Sequence, residues 1–252
     1  MDTYEQEYHR VQPTLQKWVS FFLFRKKIEV RRPQNWIKDG PNIIIGNHCG
    51  AFKDVSTIIR IVPRVIYFTA NKDIFHQDDF DRLMLKHLKR HLKDFGPVMH
   101  MMVKPLRKAL IRFVTAHITK VGTIPVDLEG GKREAMGLCQ EYLEKGRAII
   151  ALQGRGRVQP RNPHPYVSPF KRGAAILAYN LYNEQGISVP VTPLAMHGTQ
   201  APWIVPGTIG VNIGAPMFIA DYLSAGFAES VENFRNALEM RVKALFLELI
   251  RT

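Results

Sequence analysis

Two constellations in this sequence carry residue types that a plain core would not need. The first lies in PNIIIGNHCGAFKDVS, Pro41 to Ser56. The apolar run Ile43 to Ile45 has strand character and stops at Gly46, so His48 stands just past a strand end. In parallel sheets, ligands bind at that place. Imidazole titrates near neutrality and can take a proton from a hydroxyl, while a carboxylate on its other nitrogen fixes the tautomer and stabilises the imidazolium. Asp54 is the nearest carboxylate able to do so. The plain alternative is a packed histidine, with Asp54 merely opening the next helix, where an acid suits the dipole. Cys49 beside His48 invites a cysteine nucleophile, but adjacent residues of an extended chain point to opposite sides, so a Cys–His dyad is not expected.

The second constellation is IIALQGRGRVQP, a strand running into Gln153, Gly154, Arg155, Gly156 and Arg157. Glycines let backbone N–H groups approach a ligand, and two arginines in one turn can hold a phosphate through forked hydrogen bonds. The alternative is a solvated loop of the same composition.

These side chains need a frame. Strand-length apolar runs occur at NIIIG, RVIYFTA, GTIPVD, RAIIAL, VPVTPLAM and IGVNIGAPMFI, and DVSTIIRIVP fits a short helix closed before Pro63. Further helical patterns, GKREAMGLCQEYLEKG and FKRGAAILAYNLYNEQG, each close at a glycine suited to capping. Alternation of this kind predicts an α/β fold, a single domain with a mostly parallel central sheet flanked by helices. The 252 residues, 46% hydrophobic and 23% charged, supply enough apolar material for one sizeable core.

The net charge of +13 predicts an anionic partner: an acidic lipid surface, a phosphorylated substrate or nucleic acid. Leu83 to His117 carries eight Lys/Arg against one acid, Asp94, with apolar residues at helical spacing on both sides of Gly96-Pro97. Two basic amphipathic helices follow, suited to anionic lipid, where each nearby cation adds about 1 kcal/mol; the alternative is a solvated basic face. TLQKWVSFFLF, Thr14 to Phe24, followed by RKK, reads either as an interfacial segment or as a core helix capped by basic residues. Two cysteines, Cys49 and Cys139, make no disulfide framework and have no metal-ligand spacing, which predicts a reducing compartment. No secretory signal and no membrane span is expected.

Taken in order, the segments resemble the glycerolipid acyltransferase family, the PlsC-like lysophospholipid acyltransferases. NHCGAFKD is similar to the family's Asn-His, four residues, Asp motif, and GTIPVD to its second. ALQGRGR falls at its Pro-Glu-Gly-Thr-Arg motif, and SPFKRGAAILA resembles the Phe-Lys-Lys-Gly-Ala helix start after it. VPVTPLAMHGT with VNIGAPMFI resembles the fourth, a Pro-rich strand. The likeness runs from about Asn42 to Ile219, so the acyltransferase domain is expected over residues 41–252, with a basic helical insertion over about 83–117 and an amphipathic membrane-interface segment over residues 1–40. Three departures stand out. Five residues, not four, separate His48 from Asp54, and one extra helical residue rotates a side chain by about 100°. Asp54 therefore reaches the imidazole only if the Cys49-Gly50 turn absorbs the insertion. Gln153 replaces the family's glutamate, with Arg155 and Arg157 flanking Gly156, and Leu128 follows Asp127 where an arginine is usual.

The resemblance implies transfer of a fatty acyl group from a thioester carrier, acyl-CoA or acyl carrier protein, to a lysolipid hydroxyl, with no further cofactor and no metal. His48 would be the general base and Asp54 its orienter. Asn47, Gln153, Gly154, Arg155, Arg157 and Lys171 would bind substrate, the cations holding phosphate. Attachment to the inner, cytoplasmic face of an anionic membrane goes with that reading. A lipid or acyl-chain binding protein without turnover is the alternative on the same fold. Nucleic acid is not expected as a partner, since no reading motif accompanies the charge.

Overall fold

In the computed structural model, the described residues are 3–91, 96–127, 130, 133–154, 166–202 and 205–251, and the side chains of 87–91 and 96–102 lie outside the description. The chain divides into two compact units, one of residues 1–11 with 67–135, the other of residues 12–66 with 136–252.

The larger unit is α/β. Its five strands, β1 (Lys26–Arg31), β2 (Asn42–Asn47), β5 (Ala148–Gln153), β6 (Val191–His197) and β7 (Gly207–Ile213), lie in the order β1-β7-β6-β2-β5. All these pairings are parallel except β6 with β7. β2 sits between β5 and β6, and all six of its residues are buried, which is why it reads as an unbroken apolar run and not as an alternating one. Its helices are α2 (Phe52–Ile61), α6 (Gly173–Gln185) and α7 (Phe227–Ile250), with α5 (Arg133–Glu144) ending in it. α7 presents Val231, Phe234, Leu238, Val242 and Leu245, spaced three and four apart, as one buried stripe. Each such side chain contributes about 1.5–3 kcal/mol by leaving water. Gly146 and Gly186 close α5 and α6 with left-handed backbone, as the sequence predicts.

α1 (Thr3–Phe22) is longer than the expected segment at Thr14, since it starts in polar sequence and passes through Pro13. Val19 and Leu23 are buried in the larger unit, whereas Phe24 is 54% exposed. Trp18 stacks on Phe22 and Phe22 on Phe52, so aromatic packing and exposed aromatic surface occur side by side.

In the smaller unit β3 (Ile66–Asn71) pairs in parallel with β4 (Ile124–Val126). The basic stretch forms α3 (Gln77–His91) and α4 (Gly96–His117), two helices as expected. Phe80, Leu110, Ile111 and Ile118 fill its core. Asp81 pairs with buried Arg107 at 3.1 Å, and Glu7 with His117 at 3.0 Å. Among the described residues no helix is long and apolar enough to cross a membrane.

Candidate active site

The parallel pairing of β2 with β5 sets Asn47 opposite Gln153, so both constellations meet at the carboxyl ends of neighbouring strands. The His48 N–H donates to the Gln153 carbonyl at 2.8 Å, and the chain then leaves the sheet. His48 Nδ1 lies 2.8 Å from Asp54 Oδ2. A carboxylate only accepts, so Nδ1 donates to it, and in the neutral imidazole this leaves Nε2 as the nitrogen with the lone pair. The Gly50 N–H donates to the same Oδ2 at 2.7 Å. Asp54 is fully buried while the His48 side chain is 28% exposed, so the orienting carboxylate is shielded and the imidazole is reachable. Asp54 Oδ1 has no hydrogen-bond partner among the described residues.

The extra residue between His48 and Asp54 is absorbed one position later than expected. Ala51, not Gly50, takes positive φ, at φ 50° and ψ −117°. An L residue held there costs about 1–3 kcal/mol, and such strain gathers at functional sites. Gly50 matters sterically: a Cβ there would meet the Thr199 backbone oxygen at 2.6 Å and its Cβ at 2.4 Å. The Asp54 N–H donates to the Ala51 carbonyl at 3.1 Å, which starts α2 with Asp54 in its first turn.

Asn47 is fully buried and its amide is committed to backbone. Nδ2 donates to the carbonyls of Met196 at 2.8 Å and Tyr166 at 3.1 Å, and Oδ1 accepts from the Met196 N–H at 2.8 Å. The Gln153 side chain accepts the Lys171 N–H at 3.1 Å, while the Lys171 side chain is exposed. Gly154 adopts φ 124°, open essentially to glycine alone, and lies against the His48 backbone. Arg155 and Arg157 lie outside the described residues, as does Leu128. The segment after the second constellation is clipped to α7: Glu239 accepts the Phe170 N–H at 2.8 Å, Arg235 donates to the Phe170 carbonyl at 3.2 Å, and Arg172 pairs with Glu232 at 2.9 Å.

Cys49 sits where a nucleophilic thiolate is disfavoured. Burial, then the Asp54 charge, pushes its thiol up to about 12, and its sulfur lies 3.2 Å from Thr199 Oγ1. Sequence reading missed Thr199 and Lys53, whose contacts come from the distant β6–β7 connection. Lys53 Nζ donates to the Ala201 carbonyl. Burial first, and then neighbouring Lys26, lower its pKa. Lys26 donates to the carbonyls of Val205 at 2.6 Å and Pro202 at 3.2 Å. Among the described residues no three His, Cys, Asp or Glu side chains gather as a metal would need.

The smaller unit has a cavity of its own, about 650 Å³, lined by Lys72, Pro125, Asp127, Arg133, Glu134 and Ala135. Lys72 pairs with Asp127 at 2.6 Å.

No family model and no curated protein matches this chain. Among solved structures it is similar to the crystal structure of the 1-acyl-sn-glycerophosphate (LPA) acyltransferase PlsC from Thermotoga maritima. The identity is 19% and the TM-score 0.58, over 99% of this chain and 84% of that one. The chain therefore shares the fold of that acyltransferase.

Proposed function

We propose that this protein is an acyltransferase that moves a fatty acyl group from a thioester, acyl-CoA or acyl carrier protein, to a hydroxyl of a lysolipid. The observation that carries the reading is the 2.8 Å contact between a reachable imidazole and a fully buried carboxylate, at the carboxyl end of a parallel strand. His48 Nε2 takes the proton of the acceptor hydroxyl as its oxygen attacks the thioester carbonyl carbon. The new C–O bond forms, the C–S bond breaks as the tetrahedral intermediate collapses, and the imidazolium returns the proton to the departing thiolate. Such base catalysis is worth about 10² to 10⁴ in rate. Backbone N–H groups near Gly154 stabilise the oxyanion, a donor of this kind being worth about 10² to 10³. Asp54 orients the ring and balances its charge. Asn47 and Gln153 serve the same reading as ties, holding the strand end and the Lys171 segment in place, while Arg155, Arg157 and Lys171 hold phosphate.

The +13 charge, the exposed aromatic Phe24 beside Arg25 and Lys27, and the basic helices α3 and α4 support docking to the inner face of an anionic membrane, where a lysolipid is presented. Incubation of the purified protein with labelled acyl-thioester and a panel of lysolipids tests the reading: time-dependent acylated product supports it. Tight lipid binding without product would instead assign the fold to a non-catalytic binder.

A further inference from the structure

Asp54 meets His48 across a spacer that its own residues disfavour, since Ala51 holds a backbone conformation that L side chains rarely adopt. Something outside the spacer must hold it: Phe22 of α1 stacks on Phe52, and the polar contacts on the turn itself come from the β6–β7 connection. Thr199, fully buried, presses its backbone oxygen and side chain against the Gly50 Cα, leaving no space for a Cβ. Its hydroxyl lies 3.2 Å from Cys49 Sγ. Lys53, the residue before Asp54, reaches the Ala201 carbonyl, and Lys26 secures the far side of the same connection at Pro202 and Val205. The charge of Lys26 adds to burial in lowering the Lys53 pKa, and both side chains serve carbonyls of an irregular loop that need donors.

We propose that Lys53 and Thr199 are positioning residues for the His48–Asp54 pair, clamping the Gly50–Ala51 turn so that a five-residue spacer delivers the carboxylate to the imidazole. Released from the clamp, Ala51 relaxes to negative φ, the start of α2 turns, and Asp54 withdraws from Nδ1. The inference rests on the base-and-orienter reading of that pair, and it predicts that the clamp is needed only because residue 51 is not glycine.

The test is a set of coupled variants assayed for acyl transfer: Lys53→Met, Lys53→Arg and Thr199→Val, each alone and combined with Ala51→Gly. Lys53→Met lowers kcat about 10- to 100-fold with KM within about twofold, and Lys53→Arg recovers most of the loss. Combined with Ala51→Gly, the same Lys53→Met change costs less than about threefold, because glycine takes φ 50° unaided. Thr199→Val, which keeps the packing and removes the hydroxyl, gives a smaller fall in kcat that Ala51→Gly also softens. Equal losses in both backgrounds, or a loss confined to KM, overturn the proposal. A readout independent of turnover separates this from failure of the proposed activity. The low-field proton of the His48–Asp54 hydrogen bond in NMR is present in the parent protein, broadened in Lys53→Met and Thr199→Val, and sharpened again by Ala51→Gly. An unaltered resonance in both single variants overturns the clamp even if the chain transfers no acyl group at all.

Discussion

Two hydrogen-bonded pairs of nearly equal length, each built on an aspartate, stand in different surroundings in this molecule. In the larger unit His48 meets Asp54 at 2.8 Å, with the carboxylate fully buried. In the smaller unit Lys72 meets Asp127 at 2.6 Å, with 54% and 27% of the two side chains exposed. Distance does not distinguish them. Solvent does: a surface pair is screened and contributes about 0–1 kcal/mol, whereas a buried carboxylate has no water to turn to and depends on its protein partners. The first pair also has a strained turn and a packed loop holding it, and one ring nitrogen left over to act.

That contrast breaks most visibly at the carboxylate. Asp54→Asn keeps the shape and removes the charge that fixes the imidazole tautomer, so kcat falls about 10²-fold or more while the far-UV circular dichroism stays that of the parent. Gly50→Ala places a Cβ 2.4 Å from that of Thr199, and thermal unfolding should show a loss of about 1–3 kcal/mol together with reduced transfer. Lys72→Met, the matched change in the other pair, should alter unfolding by less than about 1 kcal/mol. A stability loss at Lys72 equal to that of Gly50→Ala would mean that burial does not separate the two sites.

A milder effect is expected where α7 clips the Phe170 segment. Burial raises Glu239, but hydrogen bonds from Lys243 and the Phe170 N–H and the charges of Lys243 and Arg235 outweigh it, so its carboxyl sits below the ordinary range. Glu232 is held low as well, first by its hydrogen bond from Arg235. A carboxyl depressed by folding contributes stability that is present above its unfolded pKa and is lost as pH falls through the folded one. The melting temperature should therefore drop as pH falls below about 5, and Glu239→Gln should flatten that drop.

Much of this was legible in the residues. NIIIG reads as a buried strand because both its faces are covered, and a histidine after it reads as functional because ligands gather at such strand ends. β1, KKIEVR, did not read as a strand: it is an edge strand with charges between its two apolar residues, and its pairing with β7 is non-local. The stripe of α7 likewise takes its meaning from packing, on β6 and β7. At the site, His48 and Asp54 were legible as types, and the spacing forced the question of the turn. The answer was not legible, because nothing in an alanine announces positive φ and nothing in Lys53 or Thr199 announces that a remote loop and a helix start meet. Asn47 is a substrate-binding residue only by the family resemblance, and its buried amide is taken up by Met196 and Tyr166.

The proposed chemistry stands on the His48 imidazole as the base in acyl transfer. The direct measurement is the initial rate of labelled product formation from acyl-thioester and lysolipid by the parent protein and by folded His48→Ala. If His48 is the base, the variant's rate falls by about 10² to 10⁴; near-full activity in the folded variant would rule that role out.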